Sequence, residues 1–146
     1  MMEYQLGRSY DQIEIGDKAS FSKTVSETDI YLFAGISGDF NAAHVNEAYA
    51  ETTRFKRRIA HGFVPMSLCA PVIGMELPGL GTVVVDLYTK FVRPTYMGDT
   101  ITATAEVVDK MDDKKWVKLN LTWVNQNGDP VCEGWVQVIP PITKGK

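Results

Sequence analysis

The sequence predicts an α+β domain in which an antiparallel sheet of about five strands wraps around one central apolar helix. Two observations lead to this fold class. Residues 63–77 carry apolar side chains on nearly every helical face, so a helix here must be surrounded by other elements. After this stretch the chain consists almost entirely of short strand-like segments joined by turns, which is typical of an antiparallel sheet.

The first part of the chain predicts one strand and two short helices. Residues 18–25 alternate loosely between apolar and polar side chains, as a strand does. Ser26 opens a helix start with acidic side chains in the first turn, and Gly35 and Gly38 weaken this helix and are expected to end it. Asn46 is placed to cap a second short helix over residues 47–52.

Two prolines mark the central helix predicted over residues 63–77. Pro65 suits the first turn, whereas Pro71 cannot donate to the carbonyl of Ser67 and should kink the helix. The later strands are predicted over residues 82–91, 100–108, 115–124 and 131–139, with a turn cluster at 125–130. Such a sheet leaves one edge and a flank of the helix uncovered, which predicts a homodimer or a larger assembly.

Composition limits the class of protein. The chain has 146 residues, the length of one domain over residues 1–146, with a frayed tail expected at 143–146. Its net charge of −3 lacks the strongly basic footprint of a nucleic-acid-binding domain. We expect no membrane span and no signal peptide, because every apolar stretch is short or interrupted, and therefore a cytoplasmic location.

Known cofactor and metal patterns are missing from the sequence. Cys69 and Cys132 lie far apart in apolar contexts, so we expect two unpaired thiols in a reducing compartment. There are only 2 histidines, and neither cysteine stands at zinc-binding spacing from them, so no metal is expected. The GxGxxG, P-loop and GxSxG patterns are also absent.

One predicted loop concentrates chemically useful side chains: a carboxylate, a carboxamide and an imidazole, at Asp39, Asn41 and His44. Hydrating an activated double bond needs one group to take a proton from water and another to supply one to carbon. A carboxylate and a histidine can share that work near neutral pH, while an amide orients the water or the carboxylate. Asp and Asn after a glycine are also ordinary turn residues, and on spacing alone the turn is the more frequent explanation.

The start of the central helix supplies further candidates. The unpaired backbone N–H groups at this helix N-terminus suit a developing oxyanion on a thioester carbonyl. Gly62 would let the substrate approach the backbone closely, although a glycine here is more often only a helix start. Ser67 either hydrogen-bonds into the site or bonds back to the carbonyl of Phe63. We assign no role to His61. The basic run at residues 54–58 is either a solvated surface or attracts the phosphates of an acyl carrier.

Together these residues resemble the MaoC-like family of (R)-specific enoyl-CoA hydratases, over about residues 9–139. Gly-Asp-Phe-Asn-Ala-Ala-His at residues 38–44 is similar to the family's hydratase motif. Arg-Ile-Ala-His-Gly at residues 58–62, followed by Ser67, is similar to the family's signature at the start of the central helix. The chain departs from the family at Ala42, where a proline is usual.

The resemblance implies the hotdog fold and a cofactor-free enzyme that reversibly hydrates trans-2-enoyl-CoA to (R)-3-hydroxyacyl-CoA, with acyl carrier protein as the alternative carrier. Asp39 and His44 match the family's catalytic pair, and Gly62 matches its oxyanion donor. Asn41 and Ser67 match residues that help hold the reacting group and support the site. Two other functions stay open, namely a hotdog thioesterase and a non-catalytic acyl-binding subunit.

Overall fold

An antiparallel sheet forms the frame of the fold. The computed structural model describes residues 4–142, and the predicted frayed tail at 143–146 lies outside this range. The strands within it are β1 (Lys18–Thr24), β2 (Val83–Phe91), β3 (Thr100–Met111), β4 (Trp116–Val124) and β5 (Pro130–Ile139). They lie in the order β1-β3-β4-β5-β2, with every neighbouring pair antiparallel.

Alternation of apolar and polar side chains explains why the two middle strands form the base of the core. Every second residue is buried along β4 and along β3 as far as Val107, while the residues between them are half-buried or exposed. The buried set is Ile101, Ala103, Ala105, Val107, Val117, Leu119, Leu121 and Trp123. The central helix packs on this face, so the predicted α+β class and hotdog arrangement are confirmed.

Three short helices connect β1 to the central helix: α1 (Glu27–Ser37), α2 (Ala42–Val45) and α3 (Glu47–Thr52). The Ser26 hydroxyl accepts the N–H of Asp29, and the Asp29 carboxylate accepts the N–H of Ser26. The Asn46 side chain accepts the N–H of Tyr49. Both predicted helix starts are therefore confirmed. No helix described between residues 4 and 142 is long and apolar enough to cross a membrane.

The central helix is divided into α4 (Phe63–Met66), α5 (Cys69–Pro71) and a π-helical turn (Val72–Glu76). The prediction of one kinked helix over residues 63–77 is thus right in position and wrong in continuity. Because Pro71 has no N–H to donate, the carbonyl of Ser67 accepts the N–H of Ala70 instead, at 2.9 Å. This shorter bond tightens the turn, and the helix type changes after it.

One face of the central helix is open in the single chain. Val72 is fully buried on the sheet side, but Phe63 is 55% and Met75 74% exposed. The flank of the helix that was predicted to be uncovered is therefore open in one chain, because the sheet covers only one side of the helix. Phe63 lies 6.0 Å from Phe91 between ring centroids, so the open face continues onto the end of β2.

Candidate active site

The loop between α1 and α2 brings Asp39 and His44 together, as the sequence predicted. Oδ2 of Asp39 lies 3.9 Å from Nε2 of His44. Gly38 ends α1 with a φ of 79°, which lets the chain turn back toward α2. The Asn41 side-chain oxygen then accepts the N–H of Ala43 at 3.0 Å and starts the helix that carries His44.

Backbone contacts hold the Asp39 carboxylate in one orientation. Its Oδ1 accepts the N–H of Asn41 at 3.1 Å, and the N–H of Asp39 donates to the Ser37 hydroxyl at 3.2 Å. Oδ2 is therefore the oxygen that faces His44. The Asp39 side chain is 50% exposed, so it is fixed in place while still in contact with water.

His44 presents a lone pair toward Asp39. Its Nδ1 lies 2.8 Å from the carbonyl oxygen of Ile59, and because a carbonyl only accepts, Nδ1 carries the hydrogen. The lone pair of the neutral imidazole is then on Nε2. The gap between Nε2 and Oδ2 is too long for a direct hydrogen bond, but a water oxygen about 2.8 Å from both atoms would bridge them at an angle of about 90°.

His61, to which the sequence analysis assigned no role, completes the cluster. Its side chain is buried, and its Nε2 donates to the backbone carbonyl of Asp39 at 2.8 Å. Its ring stacks on His44 at 3.9 Å between centroids and contacts Phe33 at 4.9 Å. Its one sequence signal was its place beside Gly62, since 22 residues separate it from Asp39.

Asp39, His44 and His61 each offer one possible metal-ligand atom, and these atoms lie within 4.8 Å of one another. A metal would need both imidazoles to direct lone pairs at one point. Nε2 of His61 carries a hydrogen for the Asp39 carbonyl, and the His44 and His61 rings are stacked at an interplanar angle of 29°, so their in-plane lone pairs do not converge. The cluster therefore suits proton transfer better than metal coordination.

His44 and Gly62 line one cleft of about 360 Å³, which lies between the start of the central helix and the end of β2. Phe63 and Phe91 give it apolar walls. The N–H of Gly62 has no acceptor among residues 4–142. A Cβ at this position would lie 2.8 Å from the Phe91 ring, so glycine lets the ring close on the backbone. The cleft thus combines an imidazole, a free donor and apolar walls, as small-molecule sites do.

A thiol on the cleft wall is chemically quiet. Cys132 lines the cleft, and both Cys132 and Cys69 are buried and unpaired. Burial raises the pKa of each thiol to about 11, so both stay protonated near neutral pH. A protonated thiol is a poor nucleophile, which leaves the carboxylate and the imidazole as the reactive groups of the site.

Ser67 lies outside this cleft. Its hydroxyl donates to the carbonyl of Val64 at 2.7 Å, so the predicted alternative of a bond back into the helix holds, with Val64 rather than Phe63 as the acceptor. It borders a separate depression together with Leu32 of α1. The substrate-binding role of Ser67 stays a prediction, as does that of Asn41, whose side-chain oxygen serves as a helix cap.

Arg58 acts as a structural tie rather than a phosphate ligand. Its guanidinium donates to Glu27 at 2.6 Å, to Glu47 at 3.0 Å and to the Tyr31 hydroxyl at 3.0 Å. These bonds join α1 to α3, the helices before and after the segment that carries Asp39 and His44. The hydrogen bond from Arg58 lowers the pKa of the Glu27 carboxyl below its ordinary value of 4.5.

The hotdog sheet and the Asp–His pair, which lies beside the start of the central helix through the contacts of His44 with Ile59 and His61, define the MaoC-like class of proteins. The model of the MaoC like domain matches residues 11–126, and the chain belongs to this family. It is 46% identical over 132 residues to the (R)-specific enoyl-CoA hydratase of Rhodospirillum rubrum, which covers 90% of this chain and 91% of the relative.

Another relative and a solved structure support the same family and fold. The (R)-specific enoyl-CoA hydratase of Aeromonas caviae is 36% identical over 120 residues, covering 82% of this chain and 90% of the relative. The unliganded R-hydratase PhaJ1 from Pseudomonas aeruginosa superposes with a TM-score of 0.87 at 34% identity, over 96% of this chain and 93% of that chain. The predicted family and fold are therefore confirmed.

Replacing Arg58 by methionine should destabilise the protein more at pH 7 than at about pH 3. Because the folded-state pKa of Glu27 is lowered, the stability that this carboxylate contributes is fully present above its unfolded value and is lost as the pH falls through the lowered pKa. Urea unfolding of wild type and Arg58→Met at both pH values measures the two differences. Arg8→Met, which removes an exposed pair with Asp17, is the control and should change stability little. An equal loss at both pH values would contradict this explanation.

Proposed function

We propose that this chain is an (R)-specific enoyl-CoA hydratase, which reversibly adds water to a trans-2-enoyl-CoA to form an (R)-3-hydroxyacyl-CoA. The observation that carries the proposal is the 3.9 Å gap between Asp39 and His44, which fits one water, in a site that also offers the free N–H of Gly62. The relatives at 46% and 36% identity carry the same name. Side chains and backbone supply all the chemistry, so the proposal includes no cofactor.

The reaction uses the two side chains that border this gap. Water held between Asp39 and His44 forms a bond from its oxygen to Cβ, while its proton passes to one of these two residues. The π electrons of the Cα–Cβ bond shift toward the thioester carbonyl. They return as Cα takes the proton that this residue accepted from water, which restores the residue to its starting protonation state. The Gly62 N–H donates to the carbonyl oxygen as negative charge develops there. The net change is the addition of one water across the double bond.

The carrier and the compartment belong to the same proposal. CoA is the proposed carrier, because the (R)-specific hydratases of Rhodospirillum rubrum and Aeromonas caviae are named for enoyl-CoA. Acyl carrier protein is the alternative, since a more distant relative from Arabidopsis thaliana, at 28% identity, is named as a dehydratase of that carrier. We propose a cytoplasmic location because two buried free thiols suit a reducing compartment.

Asp39→Asn should fold normally and lose about 100-fold or more in kcat/KM, the usual share of acid–base catalysis. Asparagine keeps an oxygen for the Asn41 N–H and removes only the charge. The assay follows the loss of enoyl-thioester absorbance from crotonyl-CoA, with the stereochemistry of the product determined by chiral chromatography. The (R) isomer is expected. His44→Ala should lose activity to a similar extent.

The matched control is Asp17→Asn, which changes a carboxylate that pairs with Arg8 and is not part of the cluster. Wild-type turnover in Asp39→Asn would contradict the assignment. Release of free CoA from the substrate would indicate a thioesterase. Tight thioester binding without turnover over a series of acyl lengths would indicate an acyl-binding subunit.

His61→Phe should lower kcat by about tenfold and leave KM within about twofold, since a positioning residue acts through its neighbours. Phenylalanine keeps the stacking on His44 but removes the N–H that holds the Asp39 carbonyl. His61→Gln restores an N–H donor and should recover much of the lost kcat. Equal losses in the two variants, or a loss that appears only in KM, would show that this hydrogen bond does not position Asp39.

We propose that two chains form a homodimer through β2. A larger assembly would be built from such dimers. The free edge of β2 is apolar: Val83 is 56%, Leu87 41% and Tyr88 51% exposed. On the opposite edge, β1 carries Lys18 and Lys23 in ion pairs. Charged side chains on an edge strand disfavour its pairing with a strand of another chain. A symmetric contact of β2 with a second β2 would pair the free backbone groups.

Leu87→Glu should convert the dimer to a monomer, because it places a charge on the apolar edge. Sedimentation velocity should give twice the chain mass of 16.3 kDa for wild type and the single mass for the variant. Phe21→Glu is the control, since Phe21 is a 38% exposed apolar residue on the opposite edge strand. A wild-type monomer at micromolar concentration, or loss of the dimer only in Phe21→Glu, would reject β2 as the interface.

A further inference from the structure

We propose that Arg54 and Arg93 bind the phosphate groups of CoA at the opening of the cleft. The inference rests on the proposed hydratase function and adds a site for the carrier. Both residues line the same cleft as His44 and Gly62. Both are exposed, whereas the His44 side chain is only 13% exposed, so the arginines mark the solvent end of the cleft and the imidazole its inner end.

The two guanidinium groups have no strong partner in the described chain. The Arg54 guanidinium lies 4.9 Å from the centroid of the Phe55 ring and forms no ion pair or side-chain hydrogen bond within residues 4–142. The nearest carboxylate oxygen to Arg93 belongs to Asp129 and lies 4.0 Å away, beyond hydrogen-bonding distance. Both arginines are therefore free to donate to a ligand.

The other two arginines of the basic run at residues 54–58 are not available in this way. Arg57 stacks over the ring of Tyr96 at 3.8 Å, and Arg58 is saturated by its two glutamates and Tyr31. Neither lines the cleft. Of the arginines in the run, only Arg54 lines the cleft, and Arg93, which is distant in sequence, lies there with it.

The shape of the cleft fits an anionic carrier. Its volume of about 360 Å³ suits an acyl group and thioester, so the remainder of a CoA molecule must extend through the opening. That remainder carries a diphosphate and a 3′-phosphate. Guanidinium groups donate to phosphate in a bidentate manner, and on a chain of net charge −3 two free cations at the opening form a local site of attraction.

The test compares two substrates that share an acyl group: crotonyl-CoA and crotonyl-N-acetylcysteamine, which lacks phosphate. In Arg54→Gln/Arg93→Gln, kcat/KM for crotonyl-CoA should fall about tenfold, through KM, while the value for the short thioester stays within about twofold. The loss should shrink as salt is raised, because these contacts are screened. Arg57→Gln is the matched control from the same run and should behave as wild type.

Equal losses with both substrates, or none with either, would overturn the proposal. So would a larger loss with a crotonyl acyl carrier protein than with crotonyl-CoA, which would assign the arginines to that protein. Titration calorimetry with free CoA separates this proposal from the hydratase function. If wild type hydrates neither substrate, a tenfold weaker Kd for CoA in the double variant still supports the phosphate site, and an unchanged Kd rejects it.

Discussion

The extended segment at residues 59–61 holds the site together through four hydrogen bonds. The N–H of Ile59 donates to the carbonyl of Ala43 at 3.2 Å, and the carbonyl of Ile59 accepts Nδ1–H of His44 at 2.8 Å. On the other side, the N–H of Ala60 donates to the carbonyl of Thr95 at 2.8 Å. His61 then reaches back to the Asp39 carbonyl. The α1–α2 loop, the start of the central helix and the β2–β3 connection therefore meet at one strand-like segment.

Because most of these bonds involve the backbone, the geometry of the site depends little on some side chains that the family motif includes. Ala42 stands at the first position of α2, where the family has proline. Proline at this position would only preset a helical φ. Here the Asn41 cap and the bond from Ile59 to Ala43 hold the helix start without a proline.

The features that the sequence predicted correctly are those set by patterns within a few residues of the chain. The alternation of buried residues in β3 and β4 and the capping side chains of Ser26 and Asn46 each act within a few residues, so the sequence located these elements closely. The sequence also located the proximity of Asp39 and His44, because one loop and the short helix that follows it carry both. What a pattern cannot show is contact over distance. His61 meets Asp39 across 22 residues, and no periodicity signals that meeting.

The division of the central helix was not predicted, because it depends on which carbonyl finds a substitute donor near Pro71. Its open face was expected, since one sheet covers only one side of a helix. That open face and the cleft share the contact between Phe63 and Phe91. A second chain covering β2 would therefore also close the apolar wall beside the reacting carbon. Pro65 lines that cleft and Pro71 does not, so of the two prolines only Pro65 can bear directly on acyl-chain preference.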